Sequence, residues 1–378
     1  MWGIIASVVI VLALAVWYVW LRDTPPATAD GAIIMALGIM LNGAFQQSQL
    51  LRTECGPFLV PLLFALLAWL IAGNAGAALN GTFYQRHLDH PIASFAVGTW
   101  VAAISVTVIA IVKELPQLHA AAVALFWPSL ALWAAYMFIV ARNYRRLWQE
   151  PRWLREASGV LLLACVATES LVISANRLYH AAPAVFNGAF ILIGFGFYCA
   201  GAAAIALRYW RERRADLTEG WPTTNCILHG ALSITGLACA VSGAFPWQVT
   251  AALWLVVIVF FVGVESVELL RGWQRVRKLG WRSGLLQYAP GQWSRNFTFG
   301  MLVAFTMNAL LTDHPPAGWS WLPQLMTYVV HAGIYIVIAL FVLQSGLLVS
   351  RLIERGFSAN RRRPTRGFGG DFTPGQGV

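Results

Sequence analysis

Residues 91–112 read Pro91-Ile92-Ala93-Ser94-Phe95-Ala96-Val97-Gly98-Thr99-Trp100-Val101-Ala102-Ala103-Ile104-Ser105-Val106-Thr107-Val108-Ile109-Ala110-Ile111-Val112, with no charged side chain along them. An α-helix needs about 20 mainly apolar residues to cross roughly 30 Å of hydrocarbon. This stretch supplies them, and it is too long for a core strand. Just before it, Asp89 and Pro91 around His90 suit a helix cap and first turn, because proline lacks only a donor that would be unpaired there.

Similar segments recur in both directions, near 3–21, 31–50 and 57–79 before it and 118–141, 157–175, 184–207, 224–243, 249–270, 293–312 and 325–350 after it. Short connections carry Pro25, Pro26, Pro116, Pro183, Pro246, Pro315 and Pro316. None is long enough for a separate folded domain. The composition agrees: 58% of the 378 residues are hydrophobic and 11% charged, at a mean hydropathy of +0.64, where a soluble domain carries about 25% charged residues. The expected fold is an all-α polytopic membrane protein with about ten or eleven spans.

The net charge of +10 does not point to nucleic acid. With the amino terminus outside, all but three of the 26 basic residues fall on inner connections, at helix ends or in the carboxy-terminal tail. Only Arg52, Lys113 and Arg177 lie outside, the alternation the positive-inside rule demands. The expected setting is a bacterial inner membrane with a cytoplasmic C-terminus. Residues 352–378, rich in Arg, Gly and Pro, read as a disordered basic cytoplasmic tail. Its Arg361, Arg362 and Arg363 read first as a topology determinant. Ala27-Thr28-Ala29 is shaped like a signal-peptidase site. No basic region precedes the first apolar run, however, so residues 1–30 are expected to keep an additional N-terminal helix.

Cys55, Cys165, Cys199, Cys226 and Cys239 show no metal or redox spacing and read as small packing residues. Polar groups inside spans are costly and therefore informative. Glu265 and Glu268 sit near an inner helix end and read as solvated or Arg-paired. Asn42, Asn187 and Asn308 read as cross-helix hydrogen bonders. His229 and His331 read as bonded to a neighbour, and as the only pair a membrane haem or quinone subunit could use as axial ligands. Glu169 lies about twelve residues into its span, about 18 Å deep. It must face water, be protonated or have a partner, and a pathway role and a structural hydrogen bond both remain open. Thr99, Thr168, Ser233, Thr235 and Thr306 offer hydroxyls for weak, multi-point anion binding. Apart from Arg295 at a helix end, no span is expected to bury a cation. No metal motif, Gly-rich phosphate loop or nucleophile set is present, so neither an enzyme nor a resident cofactor is expected.

Five segments carry a likeness in order: Ile34-Met35-Ala36-Leu37-Gly38-Ile39-Met40, His90-Pro91-Ile92, Ala167-Thr168-Glu169-Ser170-Leu171, Ile227-Leu228-His229-Gly230-Ala231-Leu232-Ser233-Ile234, and Trp293-Ser294-Arg295-Asn296-Phe297-Thr298-Phe299-Gly300-Met301. The last is similar to Trp-Ser-x-x-Phe-Pro-Leu-Gly-Met. Together they resemble the tellurite-resistance and dicarboxylate transporter family, which includes plant slow anion channels, fungal malate permeases and sulfite pumps. The resemblance covers residues 31 to about 350. It implies a ten-helix core of five helical hairpins around a central pore at 31–351, in a homo-oligomer, a homotrimer in relatives. Odd-numbered core helices would line the pore, and Phe297, with Phe299 as runner-up, would gate it. Glu169, Thr168, His229, Thr235, Thr298, Gly300 and Thr306 are the expected pore-lining or proton-linked positions.

Two departures from the family pattern matter. Thr298 replaces a proline, which weakens the expected bend, and Glu169 replaces a glutamine, so either it is neutral or its proton is used in transport. The expected function is passage of small anions of the chloride, nitrate, sulfite or C4-dicarboxylate class across the bilayer. The alternatives are a proton-coupled dicarboxylate or tellurite-related carrier and, further off, the haem or quinone subunit.

Overall fold

A computed structural model describes residues 25–47, 49–212, 217–312 and 317–361. The expected first helix at 3–21 lies outside the described residues, as do Arg213, Arg214 and the tail beyond Arg361. Among the described residues all regular secondary structure is helical, with no strand. The long helices are α1 (Gly31–Asn42), α2 (Gln49–Leu79), α3 (Gly98–Glu114), α4 (His119–Gln149), α5 (Leu163–Tyr179), α6 (Ala184–Glu212), α7 (Ile227–Ser242), α8 (Trp247–Leu285), α9 (Gly291–Leu310) and α10 (Trp321–Arg361). Taken with the short 3-10 turns that flank several of them, nine of these helices are long and apolar enough to cross a membrane, α9 being the exception. Gln292, Arg295, Asn296 and Asn308 lower its apolarity. An interior helix tolerates them because it does not face lipid.

Burial alternates along the chain. The apolar windows of α3 and α5 are 94% buried and that of α7 is 83% buried, whereas α4 and α8 reach 22% and α10 only 11%. The odd-numbered helices form the interior: α1 packs on α3, α3 on α5, α5 on α7, α7 on α9, and α9 returns to α1. Even-numbered helices pack outside this closed ring. Their outer faces expose Phe138, Val185, Val259, Leu269 and Tyr335. Apolar surface on that scale is an aggregation liability in water, and around a bundle it is what acyl chains meet. The pattern is that of a membrane-embedded helical bundle.

Small residues set the inner spacings, as in membrane helix pairs generally. A Cβ on Gly300 of α9 would lie 2.6 Å from Ile39 Cγ2 of α1, and one on Gly230 of α7 would collide with Thr298 of α9. Outer tryptophans tie the two layers together. Trp133 Nε1 of α4 donates to Thr168 Oγ1 at 2.9 Å, and Trp254 Nε1 of α8 donates to Thr306 Oγ1 at 2.9 Å.

Several expected boundaries are corrected. α1 ends at Asn42, where Gly43 leaves helical geometry and its N–H closes on the Ile39 carbonyl. The chain then turns through Ala44–Gln47, and α2 starts at Gln49 instead of 57. α4 and α6 continue to Gln149 and Glu212, and α8 stays helical well past 270, up to its break at Gly280, because hydropathy marks the hydrocarbon boundary and basic helix formers such as Arg146 carry the helix on into water. α8 reverses at Gly280 (φ 76°), a left-handed conformation that glycine adopts at no steric cost. α10 runs ten residues past 351 to Arg361, since no proline interrupts it before Pro364.

Candidate functional site

All five inner helices contribute to one cavity with a water-accessible volume of about 40 Å³. Phe297 and Met301 of α9 form part of its apolar wall, with Ile39 of α1 and Ile234 of α7. Phe297 is 3% exposed. Toward one end the lining turns polar: Lys113 closes α3 in its last turn, Arg177 does the same for α5, and Asn42 and Asn308 face them from α1 and α9. Lys113 Nζ donates to the Asn42 carbonyl at 2.7 Å, and Arg177 Nη2 donates to Asn308 Oδ1 at 2.6 Å. Arg177 thus meets an amide in place of a carboxylate, which leaves its charge uncancelled at that contact. Ser170 Oγ donates to Ser105 Oγ at 3.3 Å, and both serines line the cavity. Asn42 Oδ1 is buried without a hydrogen-bond partner among the described residues.

Phe299 points elsewhere. Two helical positions turn a side chain by about 200°, which carries its ring to the opposite face of α9. There it meets Phe261 of α8 (centroids 5.1 Å apart) and His229 of α7 (5.9 Å). Of the two phenylalanines proposed as a gate, the cavity therefore holds Phe297 alone. Arg295 opens α9 at the end opposite the cations and enters a buried ionic cluster. His229 Nε2 lies 3.3 Å from Glu265 Oε1, Arg295 Nε 3.7 Å from Glu265 Oε2, and Arg295 Nη2 3.0 Å from Glu268 Oε1. Arg271 Nη1 donates to Glu268 Oε1 at 2.7 Å. Neither Arg295 Nε nor Nη2 is aligned to donate a hydrogen bond, so its attraction to the two glutamates is ionic. Glu265 and Glu268 are Arg-paired, as their position near the helix end suggested.

The remaining expected lining residues are not among those facing the cavity. Glu169 is fully buried between α5, α6 and α7. Thr235 Oγ1 donates to its two oxygens at 2.9 and 2.8 Å, and Cys165 Sγ donates at 3.3 Å. A Cβ on Gly194 of α6 would come within 2.7 Å of its Cγ. The surrounding helices close tightly on this side chain, which these hydrogen bonds hold in place. Thr168 and Thr306 accept from the outer tryptophans, Thr298 packs on Gly230, and Gly300 packs on Ile39. Ser233 donates to the His229 carbonyl and Thr99 to the Ala96 carbonyl. Each hydroxyl serves helix packing, because in a bilayer interior a hydroxyl is satisfied by the nearest backbone carbonyl or neighbouring side chain. Sequence reasoning also left out Lys113, Arg177, Ser105 and Ser170. The expectation that no span other than the Arg295 helix holds a cation is corrected: Lys113 and Arg177 are half-buried in the cavity wall and Arg271 is buried in the cluster. A signal existed, since Ser170, Ile173 and Arg177 recur at the three- and four-residue spacing that shares one helix face.

His229 and His331 do not form a pair. His229 is buried against α8, whereas His331 lies exposed on α10 with Nδ1 2.8 Å from the Thr327 carbonyl oxygen. Outside the spans, His87 is buried with Nδ1 2.9 Å from Thr28 Oγ1. Burial, aided by the adjacent Arg86, holds its imidazole below the ordinary range. Asn176 of α5 and Asn187 of α6 bond each other at 2.8 Å, as the cross-helix reading expected. No protein-family model and no curated protein matches this chain.

Proposed function

We propose that this protein passes small anions across a bilayer through the space between its five inner helices, and that the Phe297 ring closes that route. In this reading each inner helix and the outer helix that follows it make one of five helical hairpins, and the cavity is the open half of a central pore. The observation that carries the proposal is the position of Phe297: it is the aromatic ring among the described residues lining a space to which all five inner helices contribute. The resemblance of Trp293–Met301 to a transporter motif adds to it.

Physical chemistry favours an anionic cargo. Lys113 and Arg177 line the cavity toward one end, and a low-dielectric cleft with cationic walls focuses its field on anions and raises their local concentration. Ser105 and Ser170 offer hydroxyls farther in. An apolar ring beyond them excludes water and so denies an ion its hydration. Chloride, nitrate, sulfite and C4-dicarboxylates all answer this description. Glu169 and its Thr235 and Cys165 partners are not among the residues lining this cavity, so a passive path is preferred to one that uses the Glu169 proton.

Anion efflux from proteoliposomes tests the reading. Phe297→Ala should raise the flux well above wild type, while Phe299→Ala, directed at α8, should not. Equal flux for wild type and Phe297→Ala across chloride, nitrate, sulfite and malate would overturn the assignment.

A further inference from the structure

A second, larger cavity lies away from the ring. It has a water-accessible volume of about 310 Å³ and is lined by Pro151, Leu154, Arg155, Arg208, Arg211 and Glu212. That places it where the short helix Pro151–Leu154, between α4 and α5, meets the end of α6. Its volume falls at the small end of the range for ligand sites. The chemistry is lopsided, with three guanidinium groups against one carboxylate.

The three arginines divide into a wall and two arms that no other described residue engages. Arg208 is committed to the fold: Nη1 donates to the Ala157 carbonyl at 2.8 Å, Nη2 to the Gly220 carbonyl at 3.3 Å, and Nε to Glu212 at 3.3 Å. That contact also neutralises the only acid among the described lining residues. Arg155 and Arg211 are exposed and make no side-chain hydrogen bond or ion pair with another described residue. Two planar forks from different segments therefore border one cavity, and guanidinium groups are suited to bidentate capture of phosphate oxygens. The surroundings suit a membrane–water boundary. Trp148, at the end of α4, is 55% exposed, and Trp210, next to Arg211, is 75% exposed. Amphipathic rings at this level are what interfacial anchors provide.

We propose that this cavity binds the phosphate of an anionic phospholipid headgroup from the adjacent leaflet, gripped by Arg155 and Arg211 against the Arg208 wall, with Trp148 and Trp210 seated among the neighbouring glycerol and acyl groups. Basic pockets between transmembrane helices have the right character for such headgroups. The site stands apart from the ring cavity and does not depend on the transport reading.

The test uses the full chain purified in neutral detergent, with spin-labelled phosphatidylglycerol and phosphatidylcholine titrated separately and the bound fraction read from the immobilised spectrum. Phosphatidylglycerol should bind in preference to phosphatidylcholine. Arg155→Ala/Arg211→Ala should weaken it roughly thirtyfold, about 2 kcal/mol at about 1 kcal/mol per interfacial basic residue. Arg155→Lys/Arg211→Lys should restore only part of the affinity, because an ammonium keeps the charge but not the bidentate fork, and Arg277→Ala, on another segment, should change nothing. The double alanine variant leaves the Arg208 contacts in place, and an unaltered unfolding midpoint certifies its fold. Equal affinity for the two lipids, or an unchanged affinity in the double alanine variant, would overturn the proposal. Displacement of phosphatidylglycerol by an equal concentration of inorganic phosphate would overturn the lipid as the source, because the site would then be reading free phosphate.

Discussion

Glu268 joins two cations, and its removal has a cost that follows from the distances. Its Oε1 lies 2.7 Å from Arg271 Nη1 and 3.0 Å from Arg295 Nη2, with the Glu268 and Arg271 side chains each 10% exposed. At an effective dielectric constant of about 20, unit charges attract by about 4 kcal/mol at 4 Å and by more at these separations. Desolvation offsets much of that gain for an intact pair. Deleting one partner exposes the whole penalty, about 3–5 kcal/mol, because a buried charge is left uncompensated. After Glu268→Ala, Arg295 still has Glu265 Oε2 at 3.7 Å, so the loss concentrates on Arg271. Water at this helix end brings the expected value to the lower limit, about 3 kcal/mol. A denaturant titration of the protein in mixed micelles measures it. Glu268→Gln/Arg271→Gln should recover most of the stability, since no uncompensated charge remains from that pair. Equal midpoints for Glu268→Ala and wild type, or a double variant as weak as the sum of its singles, would refute the reasoning.

Other outcomes follow from single contacts. In a Phe297→Ala background, Arg177→Gln should reduce anion flux at low ionic strength by roughly tenfold. The deficit should shrink as inert salt is raised, because charges more than a Debye length of about 8 Å apart are screened at physiological salt; proteoliposome flux at two salt concentrations checks this. Gly194→Ala should cost about 1–3 kcal/mol by forcing a methyl group against Glu169. Gly196→Ala, with open space around it, should be neutral or stabilising, and paired unfolding curves distinguish the two. His87 disfavours its proton in the folded state, so its contribution to stability is complete above the ordinary imidazole value near 6.5 and falls as pH drops below it. His87→Gln should flatten the decline in unfolding midpoint between about pH 7 and pH 5.

Much of the fold was legible because the bilayer imposes one rule, that each span must be a helix of apolar residues, and runs such as Pro91–Val112 obey it openly. Helix ends were less legible. The helical extensions at Arg146 and Arg277 lie beyond the hydrocarbon, where hydropathy carries no signal. The site was half legible. The motif around Phe297 pointed to the residue that the cavity holds, but period alone could not say which of Phe297 and Phe299 faced inward until the contacts of α9 were known. Thr168, Thr235 and Thr306 misled because a hydroxyl in a span has a packing use and a binding use that look alike in sequence. Lys113 and Arg177 were read as topology markers outside the membrane. The same charges can also line a cavity when the helix carrying them runs one turn farther than its apolar segment.

The most direct test is anion flux through Phe297→Ala/Ser170→Cys, recorded before and after a negatively charged thiol reagent. If the inner helices enclose a route that the Phe297 ring closes, the double variant conducts and the reagent stops it, while Phe297→Ala alone conducts and is unaffected. A variant that stays closed without the ring, or one whose flux ignores modification at Ser170, would place the path of the ions outside this cavity.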